Sequence, residues 1–200
     1  MKILICDFED SFTYNIFSEL SEIFGAKCIK VVKKSSLLSL LQTLEDSFEK
    51  TVLILGPGPG HPNQYEYLHQ PLLRLQKKNN IFMVGICLGH QILSEIYGAS
   101  VSFCKRPIHG QSINYTLPES IAESISESPT IEVQRYNSLG VIMSQELAKR
   151  LGDLGHKTFV YEEELIIFLG DRILSYQFHP ESIGTTCPKS FFKPVIKFLL

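Results

Sequence analysis

The chain has 200 residues, of which 44% are hydrophobic and 20% are charged, and its formal net charge is −2. A chain of this length can bury roughly 70% of the surface that it exposes when unfolded, so neither disorder nor a disulfide scaffold is needed. The balanced charge excludes the basic surface typical of proteins that bind nucleic acid or anionic membranes, and it favours a small soluble ligand.

The cysteines and the N-terminus indicate the cellular compartment of the protein. The five cysteines have long, irregular spacings without a C-x-x-C pair: Cys6, Cys28, Cys87, Cys104 and Cys187. This pattern favours reduced thiols over a zinc site or a disulfide framework. The N-terminus turns acidic after six residues, and no apolar run approaches the ~20 residues of a membrane span. We therefore expect a cytoplasmic protein that binds neither membrane nor nucleic acid.

Strands and helices alternate in the first half of the chain. Residues 2–6 read as a short buried strand, and residues 14–24 as a helix with one apolar face. Further strands are predicted at residues 28–32, 52–55 and 81–86, with helices at 36–44 and 64–78. This alternation is typical of an α/β fold, in which an open and mostly parallel sheet carries helices on both faces.

The pattern changes after residue 99 to shorter strand candidates, at residues 112–117, 130–136, 164–169 and 172–178. Gly170 and Asp171 suit a tight hairpin between the last two of these strands. Residues 189–200 predict a closing helix, although Pro194 lies within it. Because no repeat, low-complexity tract or long linker divides the chain, we expect a single domain over residues 1–200.

The segment GICLG at residues 85–89 follows a predicted strand and opens a helix that continues to Tyr97. It has the form of a strand-turn-helix elbow, with the thiol of Cys87 in place of the usual hydroxyl. Such a turn exposes its nucleophile at the carboxyl end of the sheet, and the helix N-terminus favours the thiolate. A cysteine taken at random is more often a buried structural residue, but the paired glycines favour a nucleophile here.

The segment FHPES supplies a base for this nucleophile. His179 and Glu181 stand two positions apart at the end of a predicted strand, and such residues point to the same side of an extended backbone. Pro180 favours that extended conformation at His179. A solvated His and Glu near a strand end are common, so the segment indicates catalysis only in combination with Cys87. Together the three side chains could form a Cys-His-Glu triad.

The segment GPGPGHP at residues 56–62 follows the predicted strand 52–55 and forms a rigid loop at the same sheet edge as Cys87. Its glycines let backbone N–H groups approach a substrate closely. We expect the N–H groups of Gly58 and Leu88 to stabilise a tetrahedral oxyanion. The alternative is a tight turn that needs positive φ. A phosphate loop is excluded, because the Gly-Lys-Ser/Thr ending is absent.

The three segments GPGPGHP, GICLGHQ and FHPES, in this order, resemble those of class I glutamine amidotransferase domains. The resemblance covers essentially the whole chain, because DSFTYN at residues 10–15, HGQS at 109–112 and RYNSL at 135–139 are also similar to family motifs. It implies a flavodoxin-like architecture with an additional small antiparallel sheet. DSFTYN resembles the branch formed by the amidotransferase subunits of anthranilate synthase and 4-amino-4-deoxychorismate synthase.

The resemblance implies a role for each matching residue. Cys87 is the nucleophile, His179 the acid and base, and Glu181 the carboxylate that orients His179. The implied glutamine contacts are Gly58, Pro59, Gly60, Leu88, Gln91, Ser138 and Leu139. Without the resemblance, the last three would read equally well as a solvated helix residue, a turn residue and a packing contact. The implied reaction uses no metal and no organic cofactor.

The resemblance also implies a partner, a chorismate-using synthase subunit that receives ammonia released from glutamine. Several positions depart from the family pattern: Phe8 and Glu9 replace Asn and an aromatic residue, Gln111 replaces a basic residue, and Asn137 replaces a His. The tail at residues 184–190 also departs, with Cys187 and Pro188 where a looser glycine-containing stretch is usual. These departures bear on partner choice rather than on the triad. Two other functions stay open, a stand-alone cysteine hydrolase of another amide or γ-glutamyl compound and a degenerate regulatory subunit.

Overall fold

The computed structural model describes residues 1–200. Its strands, in chain order, are β1 (Lys2–Asp7), β2 (Ile29–Lys33), β3 (Thr51–Leu55), β4 (Ile81–Ile86), β5 (Ser100–Phe103), β6 (Gln111–Thr116), β7 (Thr130–Arg135), β8 (Leu139–Ile142), β9 (Lys157–Tyr161), β10 (Glu164–Gly170) and β11 (Ile173–Tyr176). Its α-helices are α1 (Thr13–Phe24), α2 (Leu37–Glu45), α3 (His69–Gln76), α4 (Leu88–Glu95), α5 (Glu119–Ile125), α6 (Gln145–Asp153) and α7 (Lys193–Leu199).

The main sheet has the strand order β2-β1-β3-β4-β11-β10-β8-β5, and β9 also pairs with β10. The five strands from β2 to β11 are parallel, whereas β10, β9, β8 and β5 join through antiparallel pairings. The order 2-1-3-4 is that of flavodoxin-like sheets. Strands β6 and β7 form a separate antiparallel pair. The predicted α/β class and the small antiparallel sheet are therefore confirmed.

Two hydrophobic clusters cover the two faces of the main sheet. Along β1, Ile3 and Ile5 face the cluster formed with α1, α5 and α7, whereas Leu4 and Cys6 face the cluster formed with α2, α3, α4 and α6. This alternation follows from the two-residue period of a strand. Burying each large aliphatic side chain stabilises the fold by about 1.5–3 kcal/mol. The continuous apolar runs of the parallel strands thus pack against helices on both faces of the sheet.

Two predicted helices begin later than the sequence suggested, and both begin beside a proline. Residues 62–68 form a 3-10 helix before α3, which starts two residues before Pro71. Residues 188–192 likewise form a 3-10 helix before α7, in which Pro194 is the second residue. A proline has no N–H to donate, so an α-helix tolerates it only in the first turn, where no intrahelical acceptor exists.

The predicted hairpin turn is wrong by one residue. Gly170 pairs with Ile173, so the two loop residues are Asp171 and Arg172, and Arg172 has a φ of +55°. The sequence patterns also missed β5, β8, β9, α5 and α6. A signal for α6 was available, because the Ser144 side chain accepts a hydrogen bond from the Leu147 N–H at 3.1 Å as an N-cap. No helix is both long and apolar enough to cross a membrane.

Candidate active site

Cys87 lies at the junction of β4 and α4, where the parallel strands end. Its φ is +51° and its ψ is −101°, a conformation that costs a non-glycine residue on the order of 1–3 kcal/mol. Two backbone hydrogen bonds hold the turn: the Cys87 N–H donates to the Tyr176 carbonyl at 2.9 Å, and the Gly89 N–H to the Gly56 carbonyl at 3.2 Å. The elbow predicted from GICLG is therefore present, with Cys87 at its apex.

Gly89 lets α4 approach β3 closely. A Cβ at this position would lie 1.9 Å from the Leu55 carbonyl oxygen, which belongs to the strand backbone and cannot move aside. We expect Gly89→Ala to lower the free energy of unfolding by about 3 kcal/mol or more in urea titrations. Gly152→Ala is the matched control, because a Cβ there meets no atom within 4 Å, and it should stabilise α6 by about 0.5–1 kcal/mol. Equal effects would contradict this close contact.

His179 and Glu181 form a buried pair immediately after β11. His179 Nδ1 lies 2.8 Å from Glu181 Oε1, and the side chains are 2% and 0% exposed. The His179 N–H donates to the Gln134 carbonyl at 2.9 Å, while the Thr185 hydroxyl donates to the His179 carbonyl at 2.7 Å. These contacts fix the backbone on both sides of the imidazole. The expected i, i+2 arrangement of the histidine and the carboxylate is therefore present.

The environment of His179 favours its protonated form. Burial by itself disfavours the imidazolium, but the negative charges of Glu181 and of the Cys87 thiolate outweigh it and raise the His179 pKa well above its usual 6.5. The other ring nitrogen, Nε2, is buried and has no hydrogen-bond partner. The imidazole can therefore take the proton of Cys87 on Nε2 while Glu181 stabilises the resulting charge.

Two aromatic rings hold the imidazole in place. The ring centroid of Phe12 lies 4.9 Å from that of His179, and the ring centroid of Tyr136 lies 5.0 Å away in an edge-on arrangement. The Tyr136 hydroxyl contacts the Ser182 hydroxyl at 3.1 Å, which ties the ring to the FHPES segment. Phe12 and Tyr136 come from DSFTYN and RYNSL, so these distant motifs meet around the catalytic histidine candidate.

A cavity of about 220 Å³ lies beside Cys87. Every residue that the sequence predicted to contact glutamine lines it; the full lining is Gly58, Pro59, Gly60, Cys87, Leu88, Gln91, Tyr136, Asn137, Ser138 and Leu139. Pockets for larger ligands typically measure ≈ 300–1,000 Å³, so this cavity fits a single small metabolite. It has no charged lining residue, which leaves recognition to amide groups and the backbone.

Gly58 and Leu88 pack against each other beside Cys87. The N–H of the first residue of a helix has no intrahelical acceptor, so the Leu88 N–H at the start of α4 is available. A Cβ on Gly58 would lie 2.5 Å from the Phe8 Cβ and 2.8 Å from Leu88 Cδ2, so only glycine allows the loop to pack this closely. The GPGPGHP loop therefore packs against the start of α4 and lines the same cavity as Cys87.

The side chain of Gln91 is oriented by its neighbours. Its Nε2 donates to the Leu139 carbonyl at 2.9 Å and to Gln177 Oε1 at 3.2 Å. Both N–H groups are thus used, so Gln91 Oε1 remains as the acceptor for an N–H group of a ligand. Ser138 lies next to His109, whose Nε2 is 3.2 Å from the serine hydroxyl. The HGQS segment therefore contacts RYNSL at Ser138, which lines the cavity.

The other cysteines differ from Cys87 in their surroundings. Cys104 lines a second cavity of about 260 Å³, but burial and the nearby Glu164 carboxylate raise the pKa of its thiol to about 12. Burial likewise raises the pKa of the Cys6 thiol. Cys187 is exposed. Among these thiols, Cys87 alone lies beside an imidazole that interacts with it.

Sequence reasoning missed Gln177. This glutamine is fully buried, and its Nε2 lies 3.8 Å from the Cys87 sulfur. A signal was available, because Gln177 precedes His179 by two residues in an extended segment. The same rule that selected Glu181 would therefore also have selected Gln177.

Three of the residues that depart from the family motifs can be placed in the structure. Phe8 is buried, and its ring packs edge-on against that of Tyr65 at 4.8 Å. Glu9 has a φ of +67° and pairs with Lys34 at 2.7 Å on the surface. Asn137 is buried and lines the cavity beside Cys87. The changes at positions 8 and 137 therefore alter the surroundings of the site, whereas the change at position 9 alters the surface.

The family model described as glutamine amidotransferase class-I matches residues 4–198. The chain belongs to the class I glutamine amidotransferase family. Among the relatives of this amidotransferase, anthranilate synthase component 2 from Helicobacter pylori is 35% identical over 201 residues, which are 100% of this chain and 98% of that protein. Aminodeoxychorismate synthase from Streptomyces griseus is 33% identical over 194 residues, which are 92% of this chain and 24% of that protein.

Solved structures agree with this assignment at the level of the fold. A glutamine amidotransferase from Thermotoga maritima superposes with a TM-score of 0.62 at 19% identity, covering 90% of this chain and 76% of that one. At such low identity the likeness concerns the architecture alone. The family of the chain is thus established by its sequence, and the sheet order agrees with it.

Proposed function

We propose that this amidotransferase hydrolyses glutamine through a Cys87-His179-Glu181 triad and passes the ammonia to a chorismate-using synthase subunit. The observation that carries the proposal is the small uncharged cavity whose lining includes Cys87 and every predicted glutamine contact. The buried pair of His179 and Glu181 supplies the base that a thiol nucleophile needs. Residues 1–200 would act as one amidotransferase domain.

In the first half of the reaction, His179 takes the proton of Cys87 and the thiolate attacks the side-chain amide carbon of glutamine. The carbonyl π electrons move to oxygen, and the N–H groups of Gly58 and Leu88 stabilise the resulting oxyanion. When the intermediate collapses, the C–N bond breaks and His179 returns its proton to the departing nitrogen. The products are ammonia and a thioester between Cys87 and the glutamyl group.

In the second half, water attacks the thioester carbonyl while His179 accepts its proton. The C–S bond breaks, glutamate leaves, and the proton restores the Cys87 thiol. Glu181 stays ionised throughout and stabilises the imidazolium each time that it forms. Every proton transfer therefore uses the same imidazole, which agrees with the raised pKa of His179.

The proposed partner rests on two relatives. Anthranilate synthase component 2 is by its name one part of a larger enzyme, and aminodeoxychorismate synthase contains a region similar to this chain within a protein about four times as long. Ammonia released into water is diluted and protonated, so transfer within a complex is the efficient route. We propose a cytoplasmic complex in which Cys87 remains reduced; all five cysteines of the chain are free.

The test measures glutamate release from glutamine by the purified chain, alone and mixed with each chorismate-using synthase subunit from the same organism, with and without chorismate. We expect stimulation by one of these subunits, and that subunit identifies the product. Unchanged turnover with every subunit would overturn the proposed coupling. Robust turnover of other amides or γ-glutamyl compounds without a partner would instead favour a stand-alone hydrolase.

A further inference from the structure

A chain of hydrogen bonds connects a buried arginine to the nucleophile. Arg135 Nε donates to Asn137 Oδ1 at 3.0 Å, and Asn137 Nδ2 donates to the Leu139 carbonyl at 2.9 Å. The same carbonyl accepts from Gln91 Nε2, which also donates to Gln177 Oε1 at 3.2 Å. At the end of the chain, Gln177 Nε2 lies 3.8 Å from Cys87 Sγ, within the range of N–H···S contacts.

Each amide in this chain can adopt one orientation only. A guanidinium is always a donor, so the atom of Asn137 that faces Arg135 must be the oxygen, and its nitrogen faces the Leu139 carbonyl. A carbonyl only accepts, so Gln91 must also direct its nitrogen towards Leu139. The second N–H of this nitrogen then requires an oxygen on Gln177. The remaining group of Gln177, its NH₂, therefore faces the sulfur.

We propose that Gln177 is a catalytic residue that donates an N–H to the thiolate of Cys87. This inference rests on the proposed function, because it assigns a role beside the same nucleophile. Hydrogen bonds that are made to the charged form of a group stabilise that form. Gln177 is fully buried, and a fixed dipole acts more strongly on a charge where water is excluded. The donor is present before substrate binds.

Gln177 and His179 act on the sulfur in different ways. His179 is the titratable group that faces Cys87, with Glu181 behind it, and it receives the thiol proton. Gln177 is uncharged at every pH and keeps its donor on the sulfur whether or not the imidazole is protonated. Arg135 lies at the end of the hydrogen-bond network that is farthest from Cys87, and it is paired with Glu164. This part of the network therefore orients the amide groups and brings little net charge.

The test compares wild type with Gln177→Met, which keeps a similar volume without a donor, and Gln177→Glu, which replaces the donor with an acceptor. The rate of Cys87 alkylation by iodoacetamide is followed by peptide mass spectrometry between about pH 5 and pH 10. Near neutral pH we expect the rate to fall about tenfold in Gln177→Met and further in Gln177→Glu. At high pH, where every thiol is ionised, the rates of folded variants should converge.

Gln76→Met serves as the matched control, because Gln76 donates to Tyr97, which follows the C-terminal end of α4, whereas Cys87 precedes its N-terminal end. This variant should leave the alkylation rate unchanged. Thermal melts identify any variant that has lost its fold. If only one of the two Gln177 variants folds, its rate profile is sufficient to test the proposal. A rate profile equal to that of wild type, or one lowered equally at every pH, overturns the proposal. Alkylation needs no glutamine turnover, so failure of the proposed function is detected separately.

Discussion

Changing Cys87 to serine should lower glutamate release from glutamine by at least about three orders of magnitude, measured with the stimulating synthase subunit present. The hydroxyl is a far weaker nucleophile than the thiolate, because it ionises at much higher pH. The backbone turn does not depend on the sulfur, since Cys87 is held by its N–H to the Tyr176 carbonyl. We therefore expect the melting temperature to change little while the activity is lost.

Cys187→Ser is the matched control for this variant. Cys187 is exposed, so the same chemical change there should leave glutamate release and stability close to those of wild type. If Cys87→Ser retained wild-type turnover, the thiol would not be the nucleophile. If wild type and variant supported the partner equally in cells, the chain would be a regulatory subunit.

Changing Glu181 to glutamine should lower kcat/KM for glutamine by about 10²-fold or more and move the basic limb of its pH profile to lower pH. Burial opposes the imidazolium of His179, and the Glu181 charge is the largest of the interactions that overcome it. Without this charge the pKa of His179 falls, and the proton needed by the departing ammonia is lost at a lower pH. The pH dependence of kcat/KM measures this shift directly.

The same variant should show a pH-dependent loss of stability. A histidine whose pKa is raised in the folded state stabilises the fold fully below its unfolded pKa of about 6.5, and this contribution disappears as the pH rises through the folded value. The difference in melting temperature between wild type and Glu181→Gln should therefore be largest below about pH 6.5. Glu22→Gln, which removes an exposed partner of Lys189, is the control. A constant difference would contradict the coupling.

The first half of the fold follows from the sequence because its strands are apolar throughout. Runs such as VLIL before GPGPG and FMVGI before Cys87 are buried on both faces, and that state requires a parallel sheet between two helical layers. In the second half, several strands are only four residues long or are partly exposed. Strand β5 alternates serine with Val101 and Phe103 over only four residues, none of them fully buried, and this is the shortest pattern that can indicate a strand.

The triad candidates followed from local rules, whereas their common site did not. The elbow depends on Gly85 and Gly89, and the pairing of His179 with Glu181 depends on an extended backbone. Each is a relation between near neighbours in the chain. The packing of Phe12 and Tyr136 around His179 joins segments more than 40 residues apart from it, and only the folded sheet brings them together.

The sequence by itself determined the α/β class, the elbow at Cys87 and the family, because these depend on residue type and local spacing. Only the tertiary structure decided which way the buried amides point. The orientation of Gln177 depends on Gln91, that of Gln91 on the Leu139 carbonyl, and that carbonyl also binds Asn137. An amide can present either a donor or an acceptor, and its partners across the fold select which one faces the sulfur.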